Sequence, residues 1–517
     1  MRESITSRRY ATAPSWPIVA GLSFLFLASA VWPVFVYPDL ELQDIPNHLA
    51  RAFILLHADD PVLNRNYRID WAVVPDLGWD LWALRFGGIL PLMLSAKILV
   101  VTTFILGIGG CFAMARAFTG RWTIVPLLSF PFLLNGAYAK GFLSFGFGLS
   151  LSFWAIAWWA WIPERRWVLR LAGATLFATL LYIVHLYSFG IYGLFVLGFE
   201  LQPLFRPDGR ALLHRLGILA RDGLQALPAL ILFLLSTRAL AEAPEGFKYE
   251  DAWGRFSDIS LMISTGFPWT DIVVIIVFAG ILITSVAKGW FNLSSKVNVA
   301  LALYLIAFLL LPDKVINTSF LAWRVVLGLV FVGIAAMTPR PKTPRLALPA
   351  LLAVAFGITL AVPLAQIPSW TRSGIEKTSF LSAIATVPEG SKIFFAHSGI
   401  SAADMVRDQD GAYHVASYAV MAKRALVQSM FAHPGQQVLR FRDPAIQSAP
   451  GNGATLLTVI ATQFGAAHRD FRDYLARFDY VVLHGEDRDL EARMFPFDRM
   501  QLIHHAENYR LYRLVHP

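Results

Sequence analysis

The chain has 517 residues, 56% hydrophobic and only 15% charged, where an ordinary soluble chain carries about 25% charged residues. Its formal charge of +9 sits in short basic clusters between long apolar runs, the positive-inside pattern of a membrane protein, which speaks against a nucleic-acid partner. The single cysteine, Cys111, excludes an internal disulfide framework and a cysteine metal site.

The first apolar run extends from Trp16 to Tyr37 behind Arg8 and Arg9. Ala28-Ser29-Ala30 has the small residues of a signal-peptide cleavage site, but the apolar run continues to Val36, which suits an uncleaved span better than a cleaved leader. Ser7-Arg8-Arg9 is read as a topology signal rather than an export address. Further spans are expected at 87–116, 122–137, 142–162, 168–184, 187–205, 216–236, 271–288, 297–312, 319–338 and 346–367.

The stretch 168–205 is too long for one tilted helix, and a break near His185, Ser188 and Gly190 gives two spans. Charge supports the break. With it, alternate loops carry Arg116 and Arg121, Arg165 and Arg166, Arg206, Arg210 and Arg215, Lys288 and Lys296, then Arg340, Lys342 and Arg345. The opposite short loops carry little more than Lys140 and Lys314. The sequence therefore predicts eleven spans with a cytoplasmic N-terminus. Loops 38–86 and 237–270 and everything after residue 368 then face outward. The second of these loops contains Glu242-Ala243-Pro244-Glu245-Gly246, and its aromatic half, Trp253 to Trp269, reads as an interfacial helix, a gate or a connector lying on the membrane.

Two units follow: a transmembrane domain over 1–368 and an extracytoplasmic α/β domain over 369–517. In the latter, 376–387 reads as an amphipathic helix and Pro388-Glu389-Gly390 as a turn. Strands are expected at 391–396, 479–484, 500–504 and 508–515, with helices at 413–431 and 467–477. No glycine-rich phosphate loop or nucleophile elbow appears. Eight of the twelve histidines fall here, but without paired zinc-chelating spacings, so they are expected on the solvated surface. The fold class is a polytopic α-helical membrane protein with a C-terminal extracytoplasmic α/β domain.

The first outer loop carries the chemistry-bearing pattern. Asp44, His48 and Arg51 are spaced i, i+4, i+7, which places them on one face of a helix. Pro46 is tolerated only in a first turn, so the helix starts near Asp44. One reading makes Asp44 a simple helix cap with His48 and Arg51 on a wet face. The other makes the three a site just outside the first span.

This arrangement resembles the GT-C superfamily of membrane glycosyltransferases, which use lipid-linked phosphate sugars as donors and place an acidic residue in the first outer loop. Asp44-Ile45-Pro46-Asn47-His48 matches that slot. Pro75-Asp76-Leu77-Gly78-Trp79-Asp80, then Phe86-Gly87-Gly88, resembles the family's lead into its second span, and Asn135-Gly136-Ala137-Tyr138-Ala139-Lys140-Gly141-Phe142 is similar to bacterial members. The resemblance implies sugar transfer on the periplasmic face of a bacterial inner membrane, from a polyprenyl-phosphate donor to an envelope glycan, lipid or protein acceptor. Asp44 would be the general base. The departing phosphate needs positive or hydrogen-bonding partners, for which the candidates are His48, Arg51, Lys140, His185, Lys314 and Arg324. Arg324 also fits snorkelling to the interface, Lys140 and Lys314 also fit ordinary loop charges, and His185 also fits a residue that satisfies a broken helix. Asp70 and Asp80 offer hard oxygen ligands should a divalent cation take part, which leaves the cofactor open. A transporter or flippase predicts internal repeats and buried mid-span charges. A non-catalytic scaffold with a partner-binding tail predicts tolerance to change at Asp44.

Overall fold

The computed structural model describes residues 15–205, 212–236, 247–315, 320–399, 411–450, 453–465, 468–506 and 508–515. Arg8, Arg9, Arg206 and Arg210, which contribute to the expected topology, and residues 237–246 of the second long loop lie outside them. Among the described residues, eight helices are long and apolar enough to cross a membrane, and three shorter apolar helices stand at Val125–Ala139, Ser295–Leu310 and Leu321–Ala335. Together they fall on the spans read from the sequence, and the chain is a multi-pass membrane protein.

The helices that frame the site are α1 (Trp16–Val36), α2 (Ile45–Leu56), α3 (Gly78–Phe86), α4 (Leu92–Thr119), α5 (Leu143–Trp161), α6 (Trp167–Val184), α7 (Leu186–Leu201), α8 (Asn298–Leu310), α9 (Leu321–Ala335) and α10 (Ile367–Ala383). Prolines account for the boundaries that differ from expectation. The second span begins at Leu92, behind Pro91, and the residues before it form the separate α3. The expected helix at 122–137 is a 3-10 helix, Val125–Leu133, followed by a single turn at Gly136–Ala139, because Pro126 and Pro131 each remove an amide donor. The amphipathic helix expected from 376 starts earlier, at Ile367, where Pro368 sits in the first turn.

The break at His185 is present. α6 ends at Val184, α7 begins at Leu186, and His185 is extended between them with φ −169° and ψ 124°. A broken helix at membrane depth must find partners for its freed backbone groups. Here the end of the first outer loop supplies them: Leu186 N–H donates to the Pro75 carbonyl at 3.1 Å, and Leu77 N–H to the Ile183 carbonyl at 3.0 Å. Gly78 makes this approach feasible, since a Cβ there would meet Val184 Cγ1 at 3.0 Å.

The C-terminal unit is a five-stranded sheet of β1 (Lys392–Ser398), β2 (Leu426–Val427), β3 (Tyr480–Gly485), β4 (Met500–Ala506) and β5 (Tyr509–Leu514), in the order β4-β5-β3-β1-β2. β1 runs parallel to β2 and β3, and β5 antiparallel to β3 and β4. Each expected strand is found within about two residues. The helix expected at 413–431 is instead a 3-10 segment at Gly411–Ser417, a short helix at Tyr418–Lys423 and strand β2. Arg424, at φ 49°, ends that helix in the left-handed region, and Leu426 and Val427 then pair with β1.

The expectation of solvated tail histidines is also corrected. His397, His414 and His484 are buried. They lie under α10 and at the seam with the first outer loop, where neighbours from distant parts of the chain cover them. That seam is tightly stitched. Tyr67 to Ile69 pair antiparallel with Leu439 to Phe441. The Tyr67 hydroxyl donates to the Ala425 carbonyl and accepts from Val427 N–H, both at 3.1 Å. Lys377 pairs with Asp39 at 2.5 Å. One continuous hydrophobic core runs from α1 through the helices into the sheet.

Candidate functional site

α2 starts where the sequence predicts, with Pro46 in its first turn and Asp44 at the N-cap position. The capping reading fails in its detail: the Asp44 side chain makes no cap hydrogen bond. The Asp44 backbone is held instead, its N–H donating to the Lys140 carbonyl at 3.0 Å and its carbonyl accepting from His48 N–H at 3.0 Å. Gly141, at φ 74°, lets the 138–142 turn come this close, since a Cβ there would stand 3.2 Å from Asp44 N. The carboxylate is left to face a cavity of about 240 Å³.

Widely separated parts of the chain line that cavity, among them Phe142 to Phe145 at the start of α5. Asp44 and His48 come from α2, Asp76 from the end of the first outer loop, and His185 and Arg324 from the α6–α7 break and the first turn of α9. Phe431, His433, Gln436 and Gln437 come from the C-terminal unit. His185 satisfies the broken helix, its Nδ1 accepting from Tyr187 N–H at 3.2 Å, and it also lines the cavity. Arg324 is buried, with its guanidinium 4.5 Å from the ring centre of Phe142, 5.0 Å from Phe145 and 4.9 Å from Tyr187. Those rings fix it within the protein, which a snorkelling side chain does not require.

Arg324 also borders a second space. An apolar groove of about 600 Å³ runs between α7, α8 and α9, lined by residues such as Leu194, Leu197, Leu303, Ile306 and Leu310, with Gly190 and Gly193 on its floor. One guanidinium thus stands where a polar cavity meets an apolar groove.

The other expected residues lie elsewhere. Arg51 Nε donates to Asp80 Oδ1 at 2.7 Å, neither side chain is exposed, and neither lines the cavity. Asp70 pairs with Arg68 at 3.1 Å on the surface. Asp70 and Asp80 therefore do not converge as a cation site, and the described residues contain no cluster of three His, Cys, Asp or Glu that could hold a metal. Lys140 is buried with its ammonium 4.7 Å from the ring centre of Phe320, a cavity residue. Lys314 pairs in a two-residue ribbon with Lys248.

The cavity shifts its titratable groups. Burial pushes the Asp76 carboxyl up to about 7 against the opposing pull of Arg51 and Arg324. Burial and then the Arg51 charge bring His48 down to about 3. Burial, then Arg440 and Lys314, brings His433 down to about 4. Both imidazoles are thus neutral near pH 7, and Asp76 holds its proton far above the ordinary carboxylate range.

No family model and no curated protein matches the chain. Solved structures do. The crystal structure of ArnT from Cupriavidus metallidurans in the apo state aligns over 97% of this chain and 100% of its own length, with a TM-score of 0.54 at 12% identity. The same protein bound to undecaprenyl phosphate aligns over 97% and 99%, with a TM-score of 0.53 at 10% identity. This chain has the ArnT fold.

The architecture expected from the sequence, a polytopic helical membrane domain followed by a C-terminal α/β unit, is the one found. In this version of the ArnT fold, sequence reading located Asp44, His48, His185 and Arg324 at the cavity. It quoted Asp76 without assigning it a role, and it missed Phe431, His433, Gln436 and Gln437. The last four lie more than 380 residues after Asp44, in a segment read as helix or passed over, and carry no local pattern that points back to α2.

Proposed function

We propose that the protein is a glycosyltransferase that moves a sugar from a polyprenyl-phosphate donor to an envelope acceptor, with Asp44 as the general base. The observation that carries this reading is the placement of Arg324 at the junction of the polar cavity, which holds Asp44, and the apolar groove. A polyprenyl phosphate has that same division, a charged head on a long apolar chain. A groove whose walls are apolar apart from Tyr187 and Arg324 suits the chain, and a fixed guanidinium suits the phosphate.

In the reaction, the acceptor oxygen attacks the anomeric carbon as Asp44 takes its proton. The bond from that carbon to the phosphate oxygen breaks, and its electron pair leaves with the phosphate. Arg324 stabilises the negative charge that grows there. His48 and His433, neutral near pH 7, offer hydrogen bonds to sugar hydroxyls without adding charge. Lys140 contributes positive potential from behind Phe320.

In this reading the chain crosses a bacterial inner membrane eleven times from a cytoplasmic N-terminus, with the cavity and the C-terminal unit on the periplasmic side. The loop clusters of Arg116 and Arg121, Arg165 and Arg166, and Arg340, Lys342 and Arg345 support that orientation.

The test compares envelope glycans and lipid-linked sugars by mass spectrometry in wild-type, deletion and Asp44→Asn strains matched for membrane abundance. Asp44→Asn is expected to lose the same glycan as the deletion while a sugar-charged polyprenyl phosphate accumulates. A wild-type profile in Asp44→Asn, with an altered envelope in the deletion, would overturn the assignment.

A further inference from the structure

His414 belongs to the C-terminal unit, yet its Nε2 lies 3.4 Å from Asp44 Oδ1, with both side chains buried. What surrounds it fixes which ring nitrogen carries the proton. Phe431 N–H donates to Asn47 Oδ1 at 2.8 Å, and Asn47 Nδ2 donates to the Ser429 carbonyl at 2.8 Å. These two bonds settle the orientation of the Asn47 amide, which is otherwise ambiguous. The same Nδ2 lies 3.2 Å from His414 Nδ1. An amide nitrogen is only a donor, so Nδ1 must accept, and in the neutral ring the hydrogen then sits on Nε2, facing Asp44.

We infer that His414 is a positioning residue for Asp44, held in one tautomer by Asn47, and that the C-terminal unit thereby completes the catalytic site. The inference rests on the proposed role of Asp44 as base. A base must present a defined oxygen to its substrate. Asp44 lacks a capping bond, and His414 Nε2 faces one of its oxygens at 3.4 Å, close enough to draw that oxygen into a hydrogen bond and leave the other for the acceptor hydroxyl. The chain of contacts runs from the backbone at Ser429 and Phe431 through Asn47 and His414 to Asp44. Rings on either side hold the imidazole: Phe431 at 5.0 Å and Tyr413 at 4.6 Å between centroids, both edge-on.

The chemistry predicts an asymmetry between two conservative replacements. His414→Gln can return an N–H near the Nε2 position, whereas His414→Asn reaches only the Nδ1 position. Asn47→Asp would put an acceptor against Nδ1, draw the ring hydrogen there and turn a lone pair toward Asp44. The experiment uses the full-length protein. Glycan formation after induction is followed by mass spectrometry in His414→Gln, His414→Asn, Asn47→Asp, Asp44→Asn and the Asp44→Asn/His414→Asn double variant. Purified samples in lipid nanodiscs are tested for undecaprenyl phosphate binding.

The expected result is a rate within about threefold of wild type for His414→Gln and a loss of about 10- to 100-fold for His414→Asn and Asn47→Asp. Undecaprenyl phosphate affinity should change less than about twofold, which also reports correct folding, and the double variant should lose nothing beyond Asp44→Asn. Equal rates for His414→Gln and His414→Asn, or a further loss in the double variant, would overturn the positioning role while leaving Asp44 as base. Wild-type activity in Asp44→Asn would overturn the proposed function itself, and this inference with it.

Discussion

Arg51 and Asp80 form an ion pair at 2.7 Å in which neither side chain reaches solvent. The pair ties α2 to α3. Removing one partner strands a buried charge, a loss of about 3–5 kcal/mol, whereas an apolar pair of similar volume is often neutral or better. Asp80→Ala should therefore lower thermal stability sharply in detergent, and Arg51→Met with Asp80→Leu should recover most of it. Comparable melting temperatures for Asp80→Ala and wild type would contradict this.

Gly190 and Gly193 lie on the groove floor, and a Cβ at either position would meet nothing within 4 Å. Leucine there fits the helix, where glycine costs up to about 1 kcal/mol relative to good helix formers. Gly193→Leu is expected to keep or raise the melting temperature while weakening undecaprenyl phosphate binding at least about tenfold. Binding assays in nanodiscs separate the two effects, and unchanged affinity would remove the groove from the lipid-binding reading.

Arg324 should resist conservative replacement. Lysine keeps the charge but loses the planar fork and the stacking on three rings. Arg324→Lys is expected to weaken undecaprenyl phosphate binding by about fivefold or more, and Arg324→Gln by more still. Titration of lipid into each variant checks the order.

Stability should depend on pH through Asp76. Its carboxyl, raised to about 7 in the fold, has an ordinary value near 3.9 when unfolded. The folded state thus binds the extra proton between these values. The contribution of Asp76 is fully present below about pH 4 and is lost as the pH rises through about 7. His48, lowered to about 3, acts oppositely: its contribution is present above about pH 6.5 and is lost as the pH falls. Asp76→Asn should therefore raise the melting temperature more at pH 8 than at pH 5, a difference that thermal scans at the two pH values will show. An equal effect at both pH values would contradict the shift.

Tyr67 offers a measure of how firmly the C-terminal unit is docked. Its buried hydroxyl both donates to Ala425 and accepts from Val427. Tyr67→Phe leaves two backbone groups without that partner, at a cost of about 1–3 kcal/mol. Limited proteolysis should release the C-terminal unit faster in this variant than in wild type.

The transmembrane part was legible because hydropathy is a local property. The apolar segments, the pause at His185 and the start of α2 at Pro46 each follow from a few adjacent residues. The tail strands were legible for the same reason, in runs such as YVVLHG. Where a partner came from far away, local reading failed. Arg51 looked like a solvated cation because Asp80, 29 residues on, is not visible from α2. His414 looked like a surface histidine because Asn47, 367 residues earlier, covers it. The 413–431 segment has helical periodicity, but pairing of Leu426 and Val427 with β1 overrode it.

The ribbon between Tyr67–Ile69 and Leu439–Phe441 joins chain segments about 370 residues apart. Asp44 is translated before Phe431 and His433, which emerge almost 390 residues later. Until the last part of the chain is folded against the first loop, the cavity lacks a wall. A newly inserted, half-finished protein would therefore hold Asp44 beside an unfinished cavity, to which Phe431 and His433 are added only later.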